Sequence, residues 1–231
     1  MQFNFLTKIT LPLFLLLMSL GGNILAVNSQ NPPKPPNTGT PSGNTRPGTT
    51  RPETNCPQTS PTLTALVANN GSDLTSAEFP SIWFYLPYAS AQVSEIEFFL
   101  FDANERRTLY HTSITPTEKP GMFKVSFPAQ SKYALKLNET YRWRLNLDCQ
   151  PDNTVEPDLV LDGWIRRISD SSSDNQSILN IQDYYDKRDR GIWYDAINGL
   201  AELHFASPED PEIEAAWSEL LEFLNIQDIN R

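Results

Sequence analysis

The segment Gly191–Ala196 (GIWYDA) is the most distinctive place in the sequence where side chains of different chemical types stand together. Trp193 and Tyr194 offer aromatic contact area with polar tips, and Asp195 adds a charge that an arginine or amide of a partner would recognise. These three residues are therefore candidates for binding a partner in a groove. The alternative is packing, in which Gly191 ends one helix and the aromatic pair wedges the next helix onto a sheet.

No catalytic set is indicated by the remaining polar residues. His111 and His204, the two histidines, fall in different predicted elements, and neither lies in a metal-binding helix motif or a nucleophile elbow. Carboxylates are numerous enough for glycosidase chemistry, but their spacing singles out no pair of acid and base. We therefore predict that the protein is not an enzyme and needs no cofactor.

An acidic cluster offers oxygen atoms, which are the ligands that calcium prefers. Its spacing lacks the DxDxDG pattern of a calcium-binding loop, so we predict a solvated acidic loop and no metal site. The cluster consists of Asp148, Asp152, Glu156, Asp158 and Asp162.

The composition excludes several classes of function. The 231 residues include 28 acidic side chains against 18 lysines and arginines, which gives a net charge of -10. Such a surface repels phosphate backbones, so no nucleic-acid partner is expected. Two histidines and two cysteines are too few for zinc fingers or a disulfide-dense miniprotein, which need several such residues in a small unit.

Residues 1–26 predict an export signal. Lys8 gives a short positive start, an apolar run of 12 residues follows from Ile9 to Leu20, and Ala26 is a small residue suited to cleavage. The run is short for a membrane span, although an uncleaved anchor helix is the alternative. We therefore expect a periplasmic or extracellular protein with no stable membrane span once the signal is removed.

Residues 27–62 predict a flexible linker. No aliphatic or aromatic side chain occurs from Asn28 to Thr62, so the stretch has nothing to bury against the entropy cost of ordering it.

The two cysteines predict a disulfide, because Cys56 lies near the end of this linker and Cys149 at the end of a predicted strand. In an exported protein this pair is expected to form one disulfide that attaches the linker to the folded domain, and two free thiols are the alternative.

Residues 63–168 predict an antiparallel β-sandwich, because short apolar runs recur at regular spacing with turn residues between them. Residues 95–100 alternate so that one face is buried, and 81–86 are apolar on both faces, as in a central strand with a second layer above it. Leu137–Tyr141 resembles the tyrosine corner of immunoglobulin-like sandwiches. The predicted strands are Leu63–Ala68, Ser81–Leu86, Ser94–Phe101, Arg107–Ser113, Gly121–Phe127, Thr140–Cys149 and Asp158–Ile168.

Residues 169–231 predict a helical region. Possible N-cap residues occupy 169–174, and Ile178, Ile181, Tyr184 and Tyr185 then recur at helical spacing. A second helix follows Gly191, and a third follows Pro211 and ends near Leu224. The predicted fold class is therefore α+β, with an N-terminal immunoglobulin-like antiparallel β-sandwich followed by a C-terminal three-helix unit packed on it.

The ordered set of motifs resembles a bacterial, largely cyanobacterial, family catalogued as domain of unknown function 928. The resemblance covers roughly Cys56 to Leu224 and implies an extracytoplasmic setting, but it supplies no activity and no catalytic residues. The motifs that carry it are the exported leader, the linker, Leu63–Val67 (LTALV), Trp83–Tyr88 (WFYLPY), Gly191–Ala196 (GIWYDA) and Trp217–Leu221 (WSELL).

Two functions remain open from the sequence. The first is a non-enzymatic protein-interaction or adaptor module of the cell envelope, which recognises another envelope or periplasmic protein at the seam between sandwich and helices. The alternative is a carbohydrate-binding or glycoside-processing envelope protein that uses exposed aromatic rings as a sugar-stacking platform. The rings outside the core alternation are Trp83, Tyr85, Tyr88 and Tyr110.

Overall fold

The computed structural model describes residues 55–68, 73–149, 156–170 and 180–226. The predicted export signal and the linker up to residue 54 lie outside these ranges, as do Asp152 of the acidic cluster and Ile178 of the first predicted helix. Within the described ranges, no helix is both long and apolar enough to cross a membrane.

The described strands form two sheets. The three-stranded sheet is antiparallel in the order β1-β3-β6, and the five-stranded sheet has the order β2-β8-β7-β4-β5. The bounds are β1 Thr64–Ala65, β2 Leu74–Thr75, β3 Ser81–Leu86, β4 Glu95–Asp102, β5 Thr108–Ser113, β6 Gly121–Ser126, β7 Thr140–Asp148 and β8 Leu159–Arg167.

All seven predicted strands are present, and the main difference concerns a strand that the sequence did not predict. In the first predicted strand only Thr64 and Ala65 are paired, with β3. The additional strand, β2, is two residues long, which is too short for an alternating pattern to be visible. It pairs parallel with β8, so the prediction of a purely antiparallel sandwich is wrong and the five-stranded sheet is mixed.

The two sheets pack face to face through aromatic rings. Phe84 of β3 contacts Phe98 of β4 at 6.4 Å and Trp143 of β7 at 5.6 Å between ring centroids, both edge to face. Residues of alternate parity on β4 and β7 are fully buried, as the sequence predicts for one face of a strand. Trp143 lies directly over Gly163 of β8, where a side chain would not fit.

The turn before β7 contains the tyrosine-corner contact that the sequence predicts. The hydroxyl of Tyr141 accepts a hydrogen bond from the backbone N–H of Lys136 at 2.8 Å and donates one to Glu139 at 3.2 Å. This bond ties the start of β7 to the chain five residues upstream, which closes the turn at that end of the sandwich.

The prediction of a solvated linker up to residue 62 is wrong for its last residues. Cys56 is buried and bonded to Cys149 in a disulfide, which is the pairing expected from the sequence. The backbone N–H of Asn55 donates to Asp158 at 3.0 Å. These contacts replace the apolar side chains that the segment lacks, and they hold it at the end of β7 where Cys149 lies.

Three helices follow the sandwich: α1 (Ile181–Asp189), α2 (Trp193–Ala206) and α3 (Pro211–Phe223). The cap of α1 is Asn180, whose side chain accepts from the N–H of Asp183, rather than a residue of 169–174. Gly191 separates α1 from α2 with a φ of 74°, a conformation that favours glycine. Asp210 caps α3 by accepting from two backbone N–H groups.

The helices pack on the outer face of the three-stranded sheet. The indole N–H of Trp83 on β3 donates to Asn198 of α2 at 3.0 Å, and the ring of Trp83 stacks on Phe205 at 5.6 Å. His204 in turn stacks on Trp217 of α3 at 4.6 Å. The described elements therefore form three layers, in which the helices cover one sheet and no described helix covers the outer face of the other.

We predict that Gly163→Ala lowers the free energy of unfolding by about 2 kcal/mol, because the new Cβ would lie 2.3 Å from the buried Trp143 ring. Gly121→Ala is the matched control, since nothing lies within 4 Å of its Cβ position. The control should leave stability unchanged or raise it by up to about 1 kcal/mol. Urea denaturation measures both variants, and an equal loss in the two would contradict this packing.

Candidate binding surface

Tyr194, one of the predicted partner-binding residues, is buried between α2 and the five-stranded sheet. Its hydroxyl accepts a hydrogen bond from the indole N–H of Trp143 at 2.7 Å and donates one to the backbone carbonyl of Trp164 at 2.8 Å. One phenol therefore satisfies a buried donor on β7 and a carbonyl on β8. Trp193 beside it is also buried and packs against Phe223 of α3 at 5.6 Å.

Asp195 is buried as well, and its carboxylate fixes the short strand β2. It accepts a hydrogen bond from the hydroxyl of Thr75 at 2.5 Å and others from the backbone N–H and hydroxyl of Ser76. The ammonium of Lys187 on α1 lies 3.5 Å from Asp195 and 3.7 Å from Asp170, and all three side chains are almost fully enclosed. This charge cluster joins α1, α2, β2 and the chain after β8.

The geometry of these residues favours packing, the alternative raised for them in the sequence. All three side chains make their contacts inside the fold, and none lines an open groove. Partner binding through Trp193, Tyr194 and Asp195 stays a prediction that would require the helices to move. In the structure, the contacts of these three residues hold α2 against the sandwich.

Burial changes the acid–base behaviour of two tyrosines at this junction. Desolvation raises the pKa of Tyr184 to about 12, although the nearby Arg188 opposes the shift. Desolvation also raises the pKa of Tyr194 well above that of an ordinary phenol, and the negative charge of Asp73 adds to the effect. Both hydroxyl groups are therefore neutral in the folded protein at physiological pH.

A row of stacked rings crosses the outer face of the five-stranded sheet. His111 on β5 stacks on Phe99 of β4 with ring centroids 4.4 Å apart, and Phe99 stacks on Phe101 at 5.9 Å. The guanidinium of Arg144 on β7 continues the row, 5.6 Å from the centre of the Phe101 ring. These residues occupy outward positions on three neighbouring strands, so the cross-strand register brings them together.

The same pattern continues on the next strand pair. Arg142 lies over the ring of Trp164 on β8 at 5.6 Å. Glu105, in the turn between β4 and β5, accepts hydrogen bonds from both Arg142 and Arg144. The buried Asp162 accepts a second bond from Arg142 at 3.1 Å. The two arginines thus lie over aromatic rings and are held there by carboxylates, an arrangement that leaves part of each guanidinium exposed.

We call this surface the arginine–aromatic face and define it by its outward side chains. They are Glu97, Phe99, Phe101, Glu105, His111, Arg142, Arg144, Asp162, Trp164 and Arg166.

The arginine–aromatic face is partly open to solvent. The side chains of Arg142 and Arg144 are 24% and 34% exposed. The described helices pack against β2, β3 and one another, so they leave this face uncovered. Arg166, diagonal to Arg142 across the β7–β8 pair, makes no ion pair with a described carboxylate. The face therefore combines exposed ring area with a cation that no described acid neutralises.

The other candidates from the sequence do not assemble into a site. His111 contacts Glu97 at 2.8 Å on the sheet, whereas His204 contacts Glu214 at 2.5 Å between two helices. No third catalytic group joins either pair among the hydrogen bonds of the described residues. Trp83, Tyr85 and Tyr88 are buried, so the proposed sugar-stacking platform is not an exposed surface, and Tyr110 packs between Phe98 and Tyr133.

The acidic cluster is occupied by protein donors. Asp158 accepts hydrogen bonds from Asn55 and from the backbone N–H of Cys149, and its own N–H donates to Asp148. Asp158 also lies with Cys56 and Cys149 in a group whose ligand atoms are within 4.8 Å of one another. Because those sulfurs are bonded to each other, they are not thiolates, which a metal ion requires.

Phe99 and Phe101 are the functional candidates that sequence reasoning missed. The alternation of β7 assigns Arg142 and Arg144 correctly to the outer face. In β4 the prediction used the inward residues and the two outward glutamates, and it gave no role to the outward phenylalanines. The available signal was a pair of phenylalanines at outward positions, where a fully solvated face would carry polar residues.

The fold and this surface define an α+β protein in which a two-sheet β-sandwich carries three helices on one side and an open arginine–aromatic face on the other. The model of the family described as a domain of unknown function (DUF928) matches residues 43–231. The chain therefore belongs to that family, which confirms the resemblance seen in the sequence. No curated protein matches the sequence significantly.

We predict that Tyr194→Phe lowers the free energy of unfolding by about 2 kcal/mol, because the indole N–H of Trp143 and the carbonyl of Trp164 lose their buried partner. Tyr185→Phe is the matched control, since the hydroxyl of Tyr185 makes no hydrogen bond with a described residue. Chemical denaturation followed by tryptophan fluorescence compares the two. Equal stabilities would show that the hydroxyl of Tyr194 is not the link between helix and sheet.

We also predict that stability falls at alkaline pH. An unfolded phenol ionises near pH 10, whereas folded Tyr184 stays neutral to about pH 12. A raised folded pKa contributes stability that is complete below pH 10 and is lost as the pH rises through the folded value. Wild-type protein should therefore lose about 2 kcal/mol more than Tyr184→Phe between pH 10 and pH 12. Parallel pH dependences of the two proteins in urea denaturation would contradict the assignment.

Proposed function

We propose that the protein is an exported, non-enzymatic binding module of the cell envelope that takes a protein partner on its arginine–aromatic face. The observation that carries the proposal is the row of partly buried rings, with guanidinium groups over them, on the sheet face that the described helices leave uncovered. Arginine and aromatic residues are enriched at the centres of protein interfaces, where a few such anchors supply most of the binding energy.

The face carries three arginines against three carboxylates, and the one arginine that no described carboxylate pairs favours a partner that brings an acidic side chain. Arg166 has no described carboxylate partner, and the guanidinium groups of Arg142 and Arg144 remain partly exposed after binding Glu105. Elsewhere the chain is strongly acidic, and residues 195–224 contain eight carboxylates and no lysine or arginine. An acidic partner would be repelled by the helices and attracted by the sheet, so charge alone would orient its approach.

The disulfide supports the exported part of this proposal. Bonds such as Cys56–Cys149 persist in oxidising compartments and are rare in the cytosol. The apolar run between Ile9 and Leu20 is the segment that would direct export, and the proline-rich stretch before Asn55 would be the spacer. The mature protein would then reach its partner from a tethered or secreted position outside the cytoplasm.

We infer further that the sandwich is of the immunoglobulin-like kind. Its strand order supports this, because β1, β3 and β6 correspond to strands A, B and E, and β8, β7 and β4 to strands G, F and C. The tyrosine-corner contact of Tyr141 lies at the start of the strand that would be F, where such domains have it. The disulfide differs, since Cys56 precedes the first strand instead of lying in B.

The proposal predicts cross-linking from the sheet and not from the helices. A photo-reactive phenylalanine analogue placed at Phe99 should form a covalent adduct with a discrete envelope protein in the native host. The same analogue at Phe205, which is 54% exposed on α2, should not form that adduct. Mass spectrometry of the adduct identifies the partner and also shows whether Met1–Ala26 has been removed.

Arg144→Glu should reduce the yield of the Phe99 adduct about tenfold, because it turns an attraction for an acidic partner into a repulsion. Lys119→Glu is the matched control, since it changes the net charge equally in the exposed loop before β6. An adduct that survives Arg144→Glu, or one that forms equally from Phe205, would refute docking on this face.

A further inference from the structure

A cavity of about 520 Å³ lies at one end of the sandwich, where the β4–β5 turn, the loop 131–136 and the start of β7 meet. Its volume is within the range of about 300–1,000 Å³ that is typical of small-molecule sites. None of the side chains that define the arginine–aromatic face lines it, so it is a separate site. Apolar wall comes from Leu109, Leu135 and Tyr141.

The carboxylates that line the cavity already have partners. Glu78 lies 3.7 Å from Arg167, whose guanidinium also donates to the carbonyl of Leu135. Glu139 lies 3.7 Å from Lys136. A carboxylate oxygen of Asp102 accepts from a backbone N–H in the β4–β5 turn. Two of the three carboxylates of the lining are therefore paired with cations of the protein, and the third, Asp102, accepts a backbone hydrogen bond.

Two cations of the lining are not balanced in this way. Arg107 and Lys132 both line the cavity, and neither makes an ion pair with a carboxylate of the described residues. Lys132 instead lies over the ring of Tyr133, 4.5 Å from its centre. In a chain with a net charge of -10, a pocket lining with two cations that form no described ion pair attracts a negative group.

The carboxylates narrow the kind of anion that fits. A compact inorganic anion such as phosphate has few hydroxyl hydrogens, so the carboxylate oxygens of Glu78, Asp102 and Glu139 would gain few donors from it. A ligand with one carboxylate and several hydroxyls would place its charge at Arg107 and Lys132, and its hydroxyls would donate to the acidic lining. The cavity has room for such a ring with a second ring attached.

We propose that this cavity binds an acidic sugar, a uronic acid either free or as a unit of a polysaccharide, with its carboxylate at Arg107 and Lys132. The site is independent of protein docking on the arginine–aromatic face. It also differs from the aromatic platform considered in the sequence, because recognition here rests on charge and hydroxyl groups.

Isothermal titration calorimetry of the chain without residues 1–26 tests the proposal with D-glucuronate, D-glucose and inorganic phosphate as probes. Glucuronate should bind at least about tenfold more tightly than glucose, which lacks the carboxylate, and more tightly than phosphate, which lacks the sugar ring and its array of hydroxyls. Equal binding of glucose or of phosphate, or no heat with glucuronate, would overturn the proposal. A galacturonate trisaccharide distinguishes a polymeric ligand from a free uronic acid. Tighter binding of the trisaccharide than of glucuronate indicates a polymer, and equal binding indicates the free acid. Both results support the site.

Arg107→Gln and Lys132→Gln should each weaken glucuronate binding about tenfold without changing the melting temperature, because both side chains are exposed and hold no part of the core. Lys119→Gln removes a positive charge outside the cavity and should bind glucuronate as the wild type does. If the two cavity variants bind as tightly as this control, the sugar does not occupy the cavity.

Discussion

The hydroxyl of Tyr194 is the interaction on which the arrangement of helices and sheets depends. The indole N–H of Trp143 lies in the core, where no water reaches it, and its hydrogen bond has to come from the protein. Tyr194 supplies that acceptor from the first turn of α2 and at the same time satisfies a carbonyl of β8. The helices are thus part of the hydrogen bonding of the core, and the sandwich without them would contain an unpaired buried donor.

This constraint decides which surfaces remain for binding. With Tyr194 inserted beside β8 and Asp195 bonded to β2, α2 extends across β3, and its side chains pack on Trp83. The outer face of the three-stranded sheet is therefore covered. The outer face of the five-stranded sheet receives no described helix, and its partly buried rings stabilise one another by stacking and by contact with arginines. A partner would replace solvent on a surface whose side chains are already ordered, which lowers the entropy cost of binding.

Local patterns in the sequence predict the strands and helices well and the proposed binding surfaces poorly. Alternation in β4 and β7 assigns inward and outward positions correctly, and the residues around Gly191 and Pro211 mark the helix boundaries. The bond between Trp143 and Tyr194 joins residues 51 apart, and no periodicity within either segment encodes it. The arginine–aromatic face draws on four strands, so it depends on their order and register, which a single sequence does not reveal.

The position of the disulfide relates the two proposed sites to the linker that the sequence predicts before Cys56. Cys149 follows the last residue of β7, whereas Glu139, Thr140 and Tyr141 at the beginning of that strand line the cavity. A strand of 9 residues is about 30 Å long, so the cavity and the attachment point of the preceding chain lie at opposite ends of the sandwich. The arginine–aromatic face runs between them. A module held by the chain before Cys56 would therefore present its cavity away from the point of attachment and its arginine–aromatic face along the side of the sandwich. One molecule would then contact a polysaccharide and a neighbouring protein without steric conflict.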